Sequence, residues 1–515
     1  MNGAESLVRT LLASGVEVCF ANPGTSEMHF VAALDRIPGM RCVLGLQENV
    51  VTGAADGYWR IAGKPAATLL HCGPGLANGL ANLHNARRAR SGIVNCVGDQ
   101  ATYHRPLDAP LTADTEGLAR TVSAWVRTAT SAQTVGSDAA VAVQHSHTAP
   151  GGIATLVLPS DTCWTDGGVP AQPLPVPRTP APDPQAIAVT ARVLRTEPRV
   201  LVLLGGPTAL TPEAMELAHR IVRHTGADVM AEGFNATMPT GRGRLTLERV
   251  PYANAEAVHR LERYQHVVLV GAGEPVGFFG YPGRPSKLCA PGAQFTVLTR
   301  PEQDAVAALS AVADHLGAPV VPMPDPGPPT APPTGAPTSE GVGRLLASLV
   351  PEDAIVVDEA VSFGRNLTDA MAQAAPHVWL RNCGGAIGFG IPQAVGAAIA
   401  GGGRRVIALQ ADGSGMYTVQ GLWTQAREQL PITTIVLSNR KYQILLGEYR
   451  GVGAQPGPTA MRMLDLVEPH LDWVHLANGM GVEAAATDTL EGLADLMAAS
   501  LARPGPFVIE LQIAG

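Results

Sequence analysis

The chain has 515 residues, of which 46% are hydrophobic and 16% are charged, so it is long enough for about three domains with sizeable cores. Its formal net charge of −8 argues against a nucleic-acid-binding protein, because no basic stripe is available to neutralise phosphates. No apolar run reaches the ~18 residues of a membrane span and no signal pattern follows Met1, so we expect a cytoplasmic protein that does not enter a membrane.

Two proline-rich stretches, residues 169–184 and 318–338, predict extended linkers, because neither can form a helix or the interior of a sheet. They divide the chain into three predicted domains, which cover residues 1–165, 185–317 and 339–515.

Each of these segments alternates short apolar runs with helix-length patterns. The first has candidate strands VEVCFA, CVLGLQ, ATLLHC, GIVNCVG and ATLVLP, and candidate helices VVTGAADGYWRIAG and LANGLANLHNARRAR. The second has strands VLVLLGG, ADVMAE, HVVLVGAG and FTVLT, with helices such as PEAMELAHRIVRH. The third has strands AIVVDE, RRVIALQ, ITTIVLS and PFVIELQI, with helices such as GIPQAVGAAIAG and TLEGLADLMAASLA. Strands separated by helices predict an α/β protein with parallel sheets throughout.

Seven cysteines are scattered without the spacing of a metal-binding finger, which indicates reduced thiols. Most are expected to be small core residues. Cys72 and Cys383 either share that role or line a pocket, since both lie beside motifs described below.

The middle segment contains a glycine-rich stretch, Gly271-Ala272-Gly273, directly after a candidate strand. It is an imperfect dinucleotide fingerprint, because the third glycine comes one residue late and Pro275 disturbs the start of a helix. A tight turn between strand and loop is the preferred interpretation, so neither a nicotinamide nor a flavin site is predicted here.

The third segment carries Asp412-Gly413-Ser414 after one apolar strand and Asn439 after the next. The stretch between them, residues 416–429, predicts one amphipathic helix, so the unit is β-α-β and both side chains lie at the carboxyl edge of the sheet. Carboxylate and amide oxygens suit Mg²⁺ together with diphosphate oxygens, and free N–H groups at a helix start can hold phosphates.

These residues resemble a known family, the thiamine-diphosphate enzymes of the pyruvate oxidase and decarboxylase group, including benzoylformate decarboxylase and acetolactate synthase large-subunit-like proteins. The ADGS and SN pair is similar to that family's metal and diphosphate motif. FANPGTSEMHF, LQENVVTGAADGYW and LLHCGPGLANG resemble its pyrimidine-binding domain, and GGAIGFGIP resembles the opening of its diphosphate domain.

The resemblance implies three flavodoxin-like or Rossmann-like domains: an N-terminal pyrimidine-binding domain, a central domain and a C-terminal diphosphate- and Mg²⁺-binding domain. It also implies a homodimer or homotetramer in which thiamine diphosphate lies at the subunit interface. FAD, which acetolactate synthases carry, is possible but is not signalled by the sequence.

The same resemblance assigns site residues. Asp412, Asn439 and the backbone carbonyl of Lys441 are expected to bind Mg²⁺. The further residues expected to contact the cofactor are Pro23, Gly24, Glu48, Gly73, Asn78, Ser362, Gly385, Ala386, Ile387, Gly413, Ser414, Asn439 and Tyr442. Ile387 corresponds to the apolar wedge that bends the cofactor. Ala411 and Ser438 depart from the family pattern, but neither position supplies a metal ligand.

Four residues are expected to take part in catalysis. Glu48 corresponds to the carboxylate beside the pyrimidine ring nitrogen; without the surrounding motifs it reads as a first-turn glutamate favoured by the helix dipole. His71 corresponds to a proton-transfer histidine of benzoylformate decarboxylase, or is a hydrogen-bonded residue at a strand end. Thr25 either contacts the substrate carboxylate or caps the helix that begins at SEMHF. His104 is either a second acid–base group or a surface histidine.

The resemblance therefore implies decarboxylation of a 2-oxo acid, followed by release of an aldehyde or by carboligation to a second carbonyl. His71 favours the first outcome, and likeness to the synthase paralogue favours the second. QILLGEYRGVG after Tyr442 lacks the tryptophan-bearing run of true acetolactate synthases. The alternative from another class is a paralogue that binds the cofactor without turnover, or a partner subunit of an acetolactate synthase.

Overall fold

The computed structural model of the protein describes residues 1–514, with the side chains of Asn366 and Thr368 excepted. The structure has three sheets, and residues 169–183 and 318–338 are largely exposed chain without strands or helices. In the described part of the chain, helices that are both long and apolar enough to cross a membrane are absent.

The first segment forms a six-stranded parallel sheet flanked by helices. Its strands are β1 (Val18–Asn22), β2 (Arg41–Leu44), β3 (Ala66–Leu70), β4 (Ile93–Asp99), β5 (Trp125–Thr128) and β6 (Ile153–Pro159), and its helices are α1 (Gly3–Ala13), α2 (Met28–Arg36), α3 (Glu48–Ala62), α4 (Cys72–Ala89), α5 (Thr115–Arg120), α6 (Ala132–His147) and α7 (Ser160–Trp164). The strand order is β2-β1-β3-β4-β6-β5, so the chain reverses its direction of travel between β1 and β3. Among the six strands of this sheet, only β5, which is short and half-exposed, was not predicted.

The middle segment forms a smaller parallel sheet of order β11-β10-β7-β8. Its elements are α8 (Pro184–Thr196), β7 (Val200–Leu204), α9 (Gly206–Ala209), α10 (Pro212–Thr225), β8 (Asp228–Ala231), β9 (Thr237–Thr240), α11 (Asn254–Leu261), β10 (His266–Val270), β11 (Gln294–Thr299) and α12 (Ala305–Leu316). Gly271 follows β10 with φ of +66°, and no helix follows before β11. The tight-turn interpretation of Gly271-Ala272-Gly273 is therefore confirmed.

The third segment forms a seven-stranded sheet. Its elements are α13 (Ser339–Leu349), β12 (Ile355–Glu359), α14 (Leu367–Ala370), β13 (His377–Arg381), α15 (Gly390–Ala400), β14 (Val406–Ala411), α16 (Asp412–Gly415), α17 (Gly421–Arg427), β15 (Ile432–Ser438), α18 (Gln443–Gly451), α19 (Pro458–Arg462), α20 (Trp473–Gly479), β16 (Glu483–Thr487), α21 (Leu490–Leu501) and β17 (Phe507–Gln512). The order is β16-β17-β15-β14-β12-β13-β9, which places the reversal of chain direction between β12 and β14.

Two sequence-based expectations about this sheet are wrong. Strands are not parallel throughout, because β9 from the middle segment joins the edge of this sheet and pairs with β13 in antiparallel register, Pro239 opposite Val378. A proline lacks the N–H that an inner strand requires, which fits an edge position. The helix predicted over 416–429 is also interrupted. Residues 416–420 form turns with i to i+3 hydrogen bonds, and the Thr418 hydroxyl donates to the Gly388 carbonyl at 2.9 Å.

The first and third segments meet where α3 crosses α15 almost backbone to backbone. A Cβ added at Gly396 lies 1.8 Å from the Ala54 carbonyl oxygen, and one added at Gly57 lies 2.1 Å from the Gln393 carbonyl oxygen. Only glycine permits this separation. The apolar core is accordingly continuous from one sheet to the other, with Tyr58 and Ala54 in the same buried cluster as Val395.

A buried ion pair fixes this crossing. Arg60 and Asp56 lie one turn apart on α3, 2.7 Å between Nη2 and Oδ2, and both side chains are 2% exposed. Gln393 on α15 donates to the same Asp56 carboxylate at 2.9 Å. Arg60 also donates to the carbonyls of Ala236 at 3.2 Å and Arg381 at 2.5 Å. One guanidinium therefore joins all three segments.

Substitution of Gly396 by alanine tests this contact. Alanine in a helix interior is normally favourable by about 1 kcal/mol, but here the added methyl forces the helices apart, and overpacking costs about 1–3 kcal/mol. We expect Gly396→Ala to lower the midpoint of urea unfolding followed by circular dichroism. Gly479→Ala is the matched control, because nothing lies within 4 Å of a Cβ at that helical glycine. Equal midpoints for the two variants would contradict the close crossing.

Candidate functional site

Polar residues gather at the carboxyl ends of β1 and β3, where the first sheet reverses and where open α/β folds bind ligands. Pro23 to Glu27 follow β1, and His71 follows β3. The Nδ1 atom of His71 lies 2.9 Å from Oε2 of Glu27, and the Gly24 N–H donates to the same oxygen at 2.8 Å. A Cβ at Gly24 would overlap the His71 ring at 2.2 Å, so glycine is required for the ring to lie there.

Two further groups complete this cluster. The Ser26 hydroxyl lies 3.2 Å from both His71 Nδ1 and Cys72 Sγ, and it donates to Glu27. Burial raises the pKa of the Cys72 thiol to about 11, so the thiol is neutral at physiological pH. Helix α4 begins at Cys72, directly after His71, so the glycines that follow His71 lie in the first turns of this helix.

Glu48 is the first residue of α3 and is 7% exposed. The side chain of the preceding Gln47 caps the helix by accepting from the N–H groups of Asn49 and Val50, so Glu48 is not used as a cap. Asn78 Nδ2 donates to Glu48 Oε2 at 3.1 Å, and among the described residues no other hydrogen bond reaches this carboxylate. The combination of burial with one donor leaves the carboxylate able to accept a hydrogen bond from a ligand.

A second group of residues lines a cleft at the carboxyl ends of β12, β14 and β15. The cleft is bordered by Ser362, Ile387, Asp412, Gly413, Ser414, Asn439, Lys441, Tyr442, Gln443 and Ile444. This is where the third sheet reverses direction, so the first and third sheets use the same kind of position.

The Asp412 carboxylate is 2% exposed and is held by the N–H groups of Gly413 at 2.8 Å and Arg440 at 2.6 Å. Asn439 Oδ1 accepts from the Lys441 N–H at 3.1 Å. A Cβ at Gly413 would lie 2.5 Å from the Tyr442 ring, so the glycine lets the turn and the ring share the cleft. Carboxylate and amide oxygens beside short-turn N–H groups are donors that fit a hard divalent cation and a diphosphate.

The loop that carries Ile387 is fastened from two sides. Asn85 donates to the Ala386 carbonyl at 2.8 Å and accepts from the Ala386 N–H at 3.1 Å, and Asn82 donates to the Gly388 carbonyl at 3.3 Å. Both asparagines lie on α4, one and two turns beyond Asn78. They therefore connect the loop directly to the helix that contacts Glu48.

The second fastening of this loop is Glu359, at the end of β12. Its two carboxylate oxygens accept from the N–H groups of Gly388 and Gly390, each at 2.5 Å. Burial raises the pKa of Glu359 to about 7, although these hydrogen bonds oppose the rise. Sequence reasoning missed Glu27, Glu359 and the two asparagines, because each acts on a partner that is distant in sequence.

The remaining predicted residues take different places. Gly385 has φ of +84°, which suits glycine, and Gly73 packs beside Ala113, 2.5 Å from an added Cβ. Thr25 is exposed at the start of a short 3-10 turn, and its hydroxyl caps no helix in the described structure. His104 is half-buried in the loop after β4. Hydrogen bonds from Thr25 or His104 to His71 are absent among the described residues, so their catalytic roles stay predictions.

Comparison with known proteins finds family matches to both segments that carry these residues. The model of the N-terminal TPP binding domain of thiamine pyrophosphate enzymes matches residues 1–119, and the model of the C-terminal TPP binding domain matches residues 364–511. The chain is 48% identical to the protein IlvX of Mycobacterium tuberculosis, whose name places it with acetolactate synthase large subunits, over 100% of this chain and 99% of that protein.

Two further comparisons extend over nearly the full length. Benzoylformate decarboxylase of Pseudomonas aeruginosa is 30% identical over 96% of both chains. A solved structure, the thiamine diphosphate-dependent 4-hydroxybenzoylformate decarboxylase of Rhodococcus jostii RHA1, shares the fold with a TM-score of 0.87 at 24% identity, over 100% of this chain and 99% of that one.

The raised pKa of Glu359 predicts a pH-dependent contribution to stability. Between its ordinary value of 4.5 and about 7, the folded protein keeps a proton that the unfolded chain has lost. The contribution of Glu359 to the free energy of unfolding is therefore full below about pH 4.5 and is lost as the pH rises to about 7. We expect the free energy of unfolding of the wild type, relative to Glu359→Gln, to fall across this window in urea titrations. The exposed Glu340→Gln should follow the wild type, and parallel curves for wild type and Glu359→Gln would contradict the burial argument.

Proposed function

The chain belongs to the family of thiamine pyrophosphate enzymes, and we propose that it decarboxylates a 2-oxo acid using thiamine diphosphate anchored by Mg²⁺. The observation that carries the proposal is the convergence of Asp412, Ser414, Asn439 and Lys441 with Ile387 in one cleft. This donor set fits a magnesium diphosphate, and the apolar Ile387 borders the same space.

In the proposal, Asp412, Asn439 and the Lys441 carbonyl hold the metal, while Gly413, Ser414 and Ser362 hold phosphate oxygens. Ile387 would pack against the cofactor, and the Gly385 carbonyl would accept a hydrogen bond from its amino group. The loop that carries Ile387 is held in place because Glu359 and Asn85 form hydrogen bonds to its backbone on either side of Ile387. Rigid placement favours reaction by keeping the reacting groups in the productive orientation.

Glu48 is proposed to share a proton with the pyrimidine ring nitrogen, a role for which a buried carboxyl group with one protein donor is suited. The carboxyl O–H donates to the neutral nitrogen, and the carboxylate accepts from the protonated one. Asn78 keeps this carboxylate in position. When bound, thiamine diphosphate would supply a carbanion and then an electron sink for the pair of electrons that stays on the substrate carbon as CO₂ leaves. The protein orients the cofactor and controls where protons are held.

His71 is proposed to transfer a proton at the substrate. Its Nδ1 faces the Glu27 carboxylate at 2.9 Å, which favours the tautomer with the proton on Nδ1 and leaves Nε2 to exchange protons. Glu27 is thus a positioning residue. An acid–base histidine supports protonation and aldehyde release as the outcome, with carboligation to a second carbonyl as the other outcome of the same chemistry. Thr25 and His104 are proposed as further groups beside the substrate.

The assembly is also part of the proposal. We propose a cytoplasmic homodimer or homotetramer in which Glu48 of one subunit and the cleft of the other enclose one cofactor, as the resemblance to this family implies. The rival proposal is a paralogue that binds the cofactor without turnover. It is based on Ala411 and Ser438, which depart from the family pattern. Ser438 is buried, and its hydroxyl interacts with Glu510.

Glu48→Gln tests the chemistry. Protein supplied with thiamine diphosphate, Mg²⁺ and a panel of 2-oxo acids is expected to release CO₂, and the variant should lose about 100- to 10,000-fold of that rate, the usual contribution of acid–base catalysis. The exposed Glu340→Gln serves as the control. Bound cofactor without CO₂ from any acid would favour the rival.

Asp412→Asn tests the metal site, because the amide keeps the shape of the side chain and removes its charge. We expect the Kd for thiamine diphosphate in saturating Mg²⁺, measured by calorimetry, to rise at least about 10- to 100-fold. Asp495→Asn, an exposed residue of α21, is the matched control and should bind like the wild type. Unchanged binding in both variants would remove Asp412 from the metal site.

A further inference from the structure

Three side chains of the types that bind metals converge at the strand ends of the first sheet. Ligand atoms of Glu27, His71 and Cys72 all lie within 4.8 Å of one another. Among the residues that the structure describes, no other group of three histidine, cysteine or acidic side chains converges in this way. These three residues are called the ligand triad here. The proposed function uses Glu27 and His71 but gives Cys72 no role, so their convergence requires its own explanation.

One point in space is within reach of all three ligand atoms, and the Ser26 hydroxyl marks it. Its oxygen lies 3.2 Å from both Nδ1 of His71 and Sγ of Cys72, and it donates to Glu27. The ligand atoms of a tetrahedral zinc ion lie about 3.3–3.6 Å apart, because the bonds are about 2.0–2.3 Å long. Nδ1 of His71 and Oε2 of Glu27 are already 2.9 Å apart. Small side-chain rotations therefore bring the triad to bonding distance once the Ser26 hydroxyl turns aside.

The ligand triad is held in place by the backbone around it. Cys72 has a φ of +53°, a conformation that residues with a side chain rarely adopt, and it fixes the direction of the thiol. The Gly24 N–H donates to the Glu27 carboxylate at 2.8 Å. The side chain of His71 is 23% exposed, whereas that of Glu27 is 2% exposed. An ion from solvent thus reaches the triad past the His71 ring and finds ligands that are already oriented.

The charge and the atom types at this place select the kind of ion. The carboxylates of Glu27 and Asp99 both put negative charge near the Cys72 thiol, and Arg105 lies 3.3 Å from Asp99 as the nearby basic group. Imidazole nitrogen, thiolate sulfur and carboxylate oxygen together are ligands of Zn²⁺. Mg²⁺ takes oxygen ligands. The ligand triad is therefore chemically distinct from the oxygen-donor cleft around Asp412.

We propose that the ligand triad is a second metal site, which binds a divalent cation of the Zn²⁺ class and thereby stops proton transfer by His71. The inference rests on the proposed function, because it names a regulation of that same site. The ion bonds to Nδ1 of His71, to the Glu27 carboxylate and to the Cys72 sulfur, whose proton passes to solvent. A metal on Nδ1 leaves the ring proton on Nε2. The ring then has no lone pair at Nε2 with which to accept a proton.

Binding is tested on the full chain under reducing conditions in saturating Mg²⁺, which occupies sites made of oxygen ligands. Co²⁺ bound to Cys72 should give a thiolate-to-cobalt charge-transfer band, and competition with a chromophoric indicator gives the Kd for Zn²⁺. We expect Cys72→Ser to lose the band and to raise this Kd at least about 100-fold, because losing even a residue that only supports a metal ligand costs about 10- to 100-fold. Cys42→Ser removes an exposed thiol and is the matched control, which should bind like the wild type.

Ser26→Ala separates a metal site from a hydrogen-bonded cluster that any substitution disturbs. The variant removes the hydroxyl that lies between the ligand atoms, so it should bind Zn²⁺ at least as tightly as the wild type. Weaker binding by Ser26→Ala contradicts the position assigned to the ion. Absence of bound Zn²⁺ in the wild type, or a cobalt band and a Kd that Cys72→Ser does not change, overturns the metal site.

Inhibition is measured as CO₂ release by protein loaded with thiamine diphosphate and Mg²⁺, with each variant compared to its own rate without zinc. We expect Zn²⁺ to inhibit the wild type reversibly, and Cys72→Ser to need at least about 10-fold more Zn²⁺ for half-inhibition. Bound Zn²⁺ without inhibition overturns the proposal and leaves the proposed function intact. If no acid is decarboxylated, the proposed function fails, and the cobalt band and the Kd for Zn²⁺ alone decide whether the ligand triad is a metal site.

Discussion

The crossing of α3 over α15 is the constraint on which the arrangement of this protein depends. Two glycines, Gly57 and Gly396, let the helix backbones touch, and the buried Asp56–Arg60 pair fixes the crossing with help from Gln393. A buried pair of this kind contributes little net stability, but losing either partner leaves an unpaired charge in the core. The pair therefore specifies one geometry more than it stabilises it.

That geometry mechanically connects the two half-sites of one chain, the Glu48 half and the Ile387 half, which belong to different cofactor sites in the proposed assembly. Glu48 stands at the start of α3, and α15 begins directly after the loop that carries Ile387. Helix α4 adds a second connection, since Asn78 contacts Glu48 while Asn82 and Asn85 hold the loop. Displacement of one sheet relative to the other is thus opposed at three points close to the two proposed half-sites of the chain.

Three buried glutamates serve this site in different ways, and their surroundings account for the difference. Glu359 accepts two backbone N–H groups and positions a loop. Glu27 accepts from Gly24 and faces His71, which orients an imidazole. Glu48 has one protein donor and keeps capacity for a ligand. The middle segment, which contains no predicted site residue, contributes edge strand β9 and Phe278, whose ring lies beside Gly385.

Sequence alone determined what depends on local order along the chain. Periodicity along the chain predicted most of the strands, and the turns after β1, β3, β12, β14 and β15 predicted which residues lie at strand ends. Short motifs, compared with a known family, supplied the cofactor hypothesis. These features are readable because neighbouring residues specify them.

Tertiary structure decided what depends on residues distant in sequence. Glu27 facing His71, Glu359 beneath the Ile387 loop and Phe278 against Gly385 are contacts between separate elements, and no local pattern pairs them. The break in the helix predicted over 416–429 has the same origin, because Thr418 bonds to a carbonyl on another loop. Strand β9 lies in the middle segment of the chain but pairs with β13 at the edge of the third sheet, a contact between residues distant in sequence. The free energy of packing depends on contacts between elements that are distant in sequence. Which elements pair is therefore determined by the whole fold.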